Sequence, residues 1–256
     1  MRIRWMLACL AAPALLGQPP VPGKNAFRLR GRQQDVYFLP AVTGKSSPGR
    51  VLFFPGDGGW RGFAVDIGRA MASWGFDVFG VDTKHYLESF TGGGSTLKEP
   101  EVTADMREFA AWARHGAREP VHLAGWSEGA GLGLLGVADP ESRGWFTGLV
   151  ALGLLESSVL GWRTADNLTW ITKKTPNEPS FRSLDYLAKV TTPIFMIHSS
   201  GDEYTPVEAA RKMFAAAGEP KRLVLVEARN HHYDGGRDRF FQALREALEW
   251  LSKSRR

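Results

Sequence analysis

Cysteine is almost absent from this chain: of 256 residues, only Cys9 carries a thiol. Cys9 lies inside an N-terminal segment that reads as removable, so the mature protein is expected to contain no cysteine. Disulfides, thiolate nucleophiles and cysteine-bound metals are then excluded. A lipidated Cys9 is the alternative, but little apolar sequence precedes it. Long apolar runs are lacking too. Trp5 to Leu16 is too short to span a bilayer as a helix, which takes about 20 apolar residues. Met1-Arg2-Ile3-Arg4 ahead of it and Ala12-Pro13-Ala14 near its end supply the basic start and the A-x-A-like cleavage site of an export signal. The expected organisation is a signal peptide over 1–17, a Pro/Gly-rich tether over 18–25 and one folded domain over 26–252. The expected destination is the periplasm or the extracellular space.

An excess of charge across the folded part is also missing. The chain has a formal net charge of +5, but Arg2, Arg4, Lys253, Arg255 and Arg256 sit at its ends, and without them the formal charge is zero. A nucleic-acid-binding surface is therefore not expected. Internal repeats and long low-complexity stretches are absent as well. With 43% apolar and 23% charged residues, the composition is that of an ordinary globular domain.

Apolar runs alternate with helical periodicity along the rest of the chain. Short strands are expected at 26–30 and 35–40, and buried-type strands at 50–54, 77–81, 121–124, 149–152, 193–197 and 223–226. Helices are expected at 63–74, with Gly75 as the stop, at 102–113, after Ser127, at 207–216 and at 237–251. This alternation predicts an α/β fold with a mostly parallel central sheet and helices on both faces. Ligands in such folds sit at the carboxyl ends of the strands.

Gly125-Trp126-Ser127-Glu128-Gly129 follows the apolar run Val121-His122-Leu123-Ala124 and leads into a small-residue helix. With 29 glycines in the chain, a chance G-x-S-x-G match is ordinary; its strand-to-helix setting gives it weight. A serine there needs a strained backbone, and its neighbours two residues away must be small. Asp202 follows the strand at 193–197 in Gly201-Asp202-Glu203-Tyr204-Thr205-Pro206. His231 follows the strand at 223–226 in Asn230-His231-His232-Tyr233. Serine, acid and histidine thus occur in the order used by the α/β-hydrolases, whose acid and histidine loops these segments resemble. The aromatic two positions on favours His231 over His232, and Glu203 is one position off the acid pattern. Paired histidines also suit a metal, but no carboxylate-rich ligand set accompanies them, so neither metal nor organic cofactor is expected. His85, His115, His122 and His198 are expected to be structural or surface residues.

This set of residue types points to nucleophilic catalysis, with Ser127 activated by His231 and His231 held by Asp202. A developing oxyanion needs preorganised donors. The main-chain N–H of Glu128 is one candidate. The loop Pro55-Gly56-Asp57-Gly58-Gly59-Trp60 offers the other, at Asp57 or, second, at Gly58. A phosphate-binding loop is disfavoured because no G-K-[ST] follows.

The run Phe54 to Arg61, FPGDGGWR, with Gly80-Val81-Asp82 and Thr103-Ala104-Asp105-Met106, resembles the VirJ/AcvB-type bacterial exported hydrolases. The likeness covers about residues 50 to 136 and returns at His231-His232-Tyr233-Asp234-Gly235. Trp126 and Glu128 depart from the pattern expected in that elbow. The resemblance implies an exported location and, for the family, hydrolysis of aminoacylated phospholipid esters. Residues 156–189 are expected to form a small irregular cap. Trp60, Trp126, Trp162, Trp170 and Tyr86 are the expected substrate-lining aromatics, and Lys84 is a further residue of the mouth. The sequence thus predicts an exported serine hydrolase acting on a small-molecule or lipid ester, with a substrate at a membrane surface compatible. Peptidase, amidase and thioesterase chemistry would use the same residues. A non-catalytic exported binding or secretion-accessory protein is the competing class.

Overall fold

The computed structural model describes residues 18–42, 48–168, 172 and 176–254. Its centre is an eight-stranded sheet. In chain order the strands are β1 (Gly23–Leu29), β2 (Arg32–Leu39), β3 (Arg50–Phe54), β4 (Asp77–Val81), β5 (Val121–Trp126), β6 (Phe146–Leu152), β9 (Ile194–Ser199) and β10 (Lys221–Val226). The spatial order is β1-β2-β4-β3-β5-β6-β9-β10. The β1–β2 hairpin is antiparallel and joins antiparallel to β4. From β4 to β10 every pairing is parallel. The mostly parallel sheet expected from the sequence is therefore present. One boundary differs: Gly23, Lys24 and Asn25, placed in the tether by composition, pair with Phe38, Tyr37 and Val36 and extend β1.

The helices of seven residues or more among the described residues are α1 (Phe63–Ser73), α2 (Thr83–Ser89), α3 (Glu99–Arg114), α4 (Glu128–Ala138), α5 (Val207–Ala216) and α6 (Arg237–Lys253). Alternation along each strand sends side chains to opposite faces. Val51 and Phe53 of β3 join a core with α1 and α6 through Ile67, Met71, Phe240, Leu244 and Leu248. Leu52 and Phe54 join the other core with α3 and α4 through Met106, Phe109, Leu132 and Leu135. Burying each such side chain stabilises by about 1.5–3 kcal/mol, and the two-sided burial explains why these strands are apolar at every position. Gly75 ends α1 as expected, with φ 98° and its N–H donating to Ala72 O at 3.0 Å.

Two short strands, β7 (Ser157–Val159) and β8 (Ser180–Arg182), form a separate antiparallel pair. They lie in the 156–189 segment that the sequence marked as irregular, and β7 packs on α4. None of the helices in the described residues is long and apolar enough to cross a membrane.

Candidate active site

Ser127 stands between β5 and α4 with φ 56° and ψ −124°. That conformation is rare for a residue with a side chain and stores strain that its surroundings must hold. The surroundings do so by close approach. A Cβ at Gly125 would lie 2.2 Å from Gly129 O, and one at Gly129 would lie 1.9 Å from Phe54 O. Strand and helix therefore cross at a distance only glycine allows, which is the physical content of the G-x-S-x-G spacing. Ser127 N–H donates to Leu152 O at 2.9 Å, tying the turn to β6.

The acid and the histidine come from the loops after β9 and β10. His231 Nδ1 lies 2.6 Å from Asp202 Oδ2, and both side chains are buried. Asp202 Oδ1 accepts the main-chain N–H groups of Tyr204 and Thr205, each at 3.0 Å. Burial works to raise the Asp202 carboxyl. The hydrogen bond and charge of His231, the Thr205 N–H and His198 outweigh it and hold Asp202 below its ordinary value. An ionised Asp202 fixes the proton of His231 on Nδ1 and leaves Nε2 as the basic atom. Nε2 is buried and has no hydrogen-bond partner among the described residues. Glu203 accepts the His231 main-chain N–H at 2.8 Å and so steadies the histidine loop. Glu203 thus meets the main chain of His231, while Asp202 meets its ring.

Ser127 and His231 line one cleft of about 660 Å³ at the carboxyl edge of the sheet. Asp57, Gly58 and Glu128, the expected oxyanion donors, line it too, as do Trp126, Trp162 and His232. Glu128 is the first residue of α4, where a main-chain N–H has no intrahelical acceptor. A Cβ at Gly56 would lie 3.1 Å from Ser127 Cβ, so the loop after β3 presses directly on the serine. Trp126 stacks over His231 with ring centroids 5.8 Å apart and meets His232 edge-on at 4.9 Å. His232 is exposed, and its main-chain N–H donates to Asn230 Oδ1.

Two expected lining residues are elsewhere. Tyr86 is buried in the α3 core, its hydroxyl donating to Asp105 Oδ2 at 2.8 Å. Asp82 caps α2 by accepting His85 N–H, and that helix turns Tyr86 away from the strand end. Trp60 stacks on Tyr37 at 5.2 Å and fills the slot over Gly80, where a Cβ would come within 1.8 Å of the indole. Lys84, the other residue expected at the mouth, pairs with Glu88 on α2. Trp170 lies outside the described residues. Sequence reasoning missed Arg61, Phe63, Leu155, Glu156, Ser157 and Pro176 as cleft residues. Glu156, Ser157 and Pro176 lie within the expected cap over 156–189, which was the available signal. His122 is structural as expected, bridging Thr147 and Ser252. No group of three or more His, Cys, Asp or Glu arranged to hold a metal occurs among the described residues.

A strained serine between strand and helix, with acid and histidine at later strand ends of this sheet, decides the architecture. This is the α/β-hydrolase fold. Residues 50–138 match the model of the family described as VirJ, bacterial virulence protein. The chain is 28% identical over 231 residues to the uncharacterized protein YfhR of Escherichia coli, covering 88% of this chain and 76% of that one. Among solved structures it is similar to Est1E from Butyrivibrio proteoclasticus, with a TM-score of 0.67 and 15% identity over 90% of this chain and 98% of that one. It is also similar to a soluble variant of monoglyceride lipase from Saccharomyces cerevisiae, with a TM-score of 0.69 and 17% identity over 93% and 97%. At these identities the α/β-hydrolase likeness to solved structures is one of fold.

Proposed function

We propose that the protein is an exported serine hydrolase that cleaves a carboxylic ester through an acyl-enzyme. The observation that carries this reading is the 2.6 Å contact of His231 Nδ1 with Asp202, opposite a buried Nε2, in a cleft shared with Ser127. In the first half-reaction Ser127 Oγ attacks the ester carbonyl carbon while His231 Nε2 takes its proton. The oxyanion forms against the N–H groups of Glu128 and of Asp57 or Gly58, each donor contributing about 3 kcal/mol. Collapse breaks the bond to the alcohol, which leaves with the proton from His231. Water then attacks the acyl-enzyme by the same proton route, releasing the acid and restoring Ser127. Asp202 stays ionised throughout.

The segment 156–189 is proposed as a cap that contributes Trp162 to an acyl-binding wall with Trp126, Phe63 and Leu155. Esterase and lipase structures share the fold, which favours an ester over an amide. A panel of esters of increasing acyl length, including aminoacylated phospholipids, tests the reading. Turnover should appear in wild type and vanish in Ser127→Ala; a panel hydrolysed equally by both would overturn it. The export signal at 1–17 is tested by expressing the full chain in a bacterium. A shortened periplasmic product supports export, and a full-length cytoplasmic one contradicts it.

A further inference from the structure

The acyl-enzyme route uses the main-chain N–H of Glu128 and leaves its side chain without a role. That side chain is a buried acid at the start of α4, directly after the serine and on the wall of the cleft. A carboxyl is costly to bury, so packing alone does not call for one here. Its Oε2 accepts Val159 N–H at 3.0 Å, which ties the elbow to β7. Among the described residues it forms no ion pair. The other charged and titratable groups lining the same cleft are Asp57 and Arg61 after β3, Glu156 before β7, Glu203 and Tyr204 after β9, and His231 and His232 after β10. Of these, Asp57 acts on Glu128, and its charge has the same sign. Burial and then Asp57 push the Glu128 carboxyl up to about 8, against the opposing Val159 N–H.

We infer that Glu128 is a positioning residue that must keep its proton for the site to work. As a neutral acid it anchors β7 to the elbow without setting a negative charge beside the oxyanion. The inference rests on the serine-hydrolase reading and adds to it. An ionised carboxylate on the residue whose N–H receives the oxyanion would repel the charge that forms there, and the burial of Glu128 strengthens that repulsion. The sign follows. The acid form is the working form, so the rate falls as pH rises through about 8. Glutamine has the same shape, accepts the Val159 N–H through its carbonyl and cannot ionise.

The experiment is kcat/KM for p-nitrophenyl butyrate between pH 6 and 10 in wild type, E128Q and S127A. Wild type should lose about tenfold or more between pH 7 and pH 9.5, and E128Q should lose much less, whatever its rate at neutral pH. A purely structural Glu128 would leave the shape of the profile unchanged. If E128Q does not fold, D57N replaces it: removing the neighbouring charge should move the alkaline fall to lower pH. A fall of equal size and position in wild type and variant, or no fall in wild type, overturns the inference and leaves the serine reading standing. Turnover independent of Ser127 at every pH overturns both.

Discussion

In the proposed reaction Ser127 and His231 divide the chemical labour according to how each is held. The serine is presented by backbone strain and by glycines that permit close crossing. The histidine is fixed by hydrogen bonds at two points, Nδ1 to Asp202 and main-chain N–H to Glu203. His232 has no comparable anchor on its ring, which packs against Trp126 at the cleft mouth. His231→Ala and Asp202→Asn should each lower kcat steeply, by about 10⁴-fold for the asparagine, because the wrong tautomer then faces the serine. His232→Ala should cost far less. Steady-state kinetics on one ester decide it, and the reverse ranking would reassign the base. At this scale the sequence was informative, because spacing within a motif is a local property. The departure at Glu128 was visible too, but its burial and its bond to Val159, 31 residues away, depend on β7.

Among the elements, α2 shows how a short helix redirects a residue that spacing alone would put at the site. Asp82 follows β4 and caps α2. Tyr86 is thereby carried into a clamp with Asp105, which Arg30 also binds through two nitrogens at 2.8 and 2.7 Å. The clamp ties the β1–β2 hairpin to α3. Tyr86→Phe should then leave KM near the wild-type value and lower stability by about 1–3 kcal/mol, since a buried carboxylate loses a donor. Trp162→Ala should raise KM, because the indole lines the cleft, and should also lower stability by about 3–5 kcal/mol, because the same indole is buried in the core. Thermal unfolding and Michaelis kinetics on the two variants separate the roles; a raised KM in Tyr86→Phe would restore Tyr86 to the mouth. Strand and helix positions were legible because two-sided burial forces apolar runs. The placement of Tyr86 and Trp60 was not, since it follows from a helix cap and from the missing side chain of Gly80.

At the scale of the molecule, the sheet sorts stability and chemistry to different places. Two apolar cores on opposite faces fix the strands, and the loops at one edge carry the groups the proposed mechanism uses, Ser127 and His231 on the cleft and Asp202 against the His231 ring. That is why a chain order of serine, acid and histidine, separated by 75 and then 29 positions, brings Ser127 and His231 to one cleft with Asp202 against the histidine. The alternation of strands and helices made this convergence predictable. The contour of the cleft was less so, because its far wall comes from the segment around β7. The central claim is that Ser127 is the nucleophile this architecture activates. Reaction with a fluorophosphonate probe, followed by intact mass and peptide mapping, tests it most directly. The account predicts one adduct, on Ser127, formed slowly in His231→Ala and absent in Ser127→Ala; a folded wild type that takes up no probe, or takes it up at another residue, would contradict it.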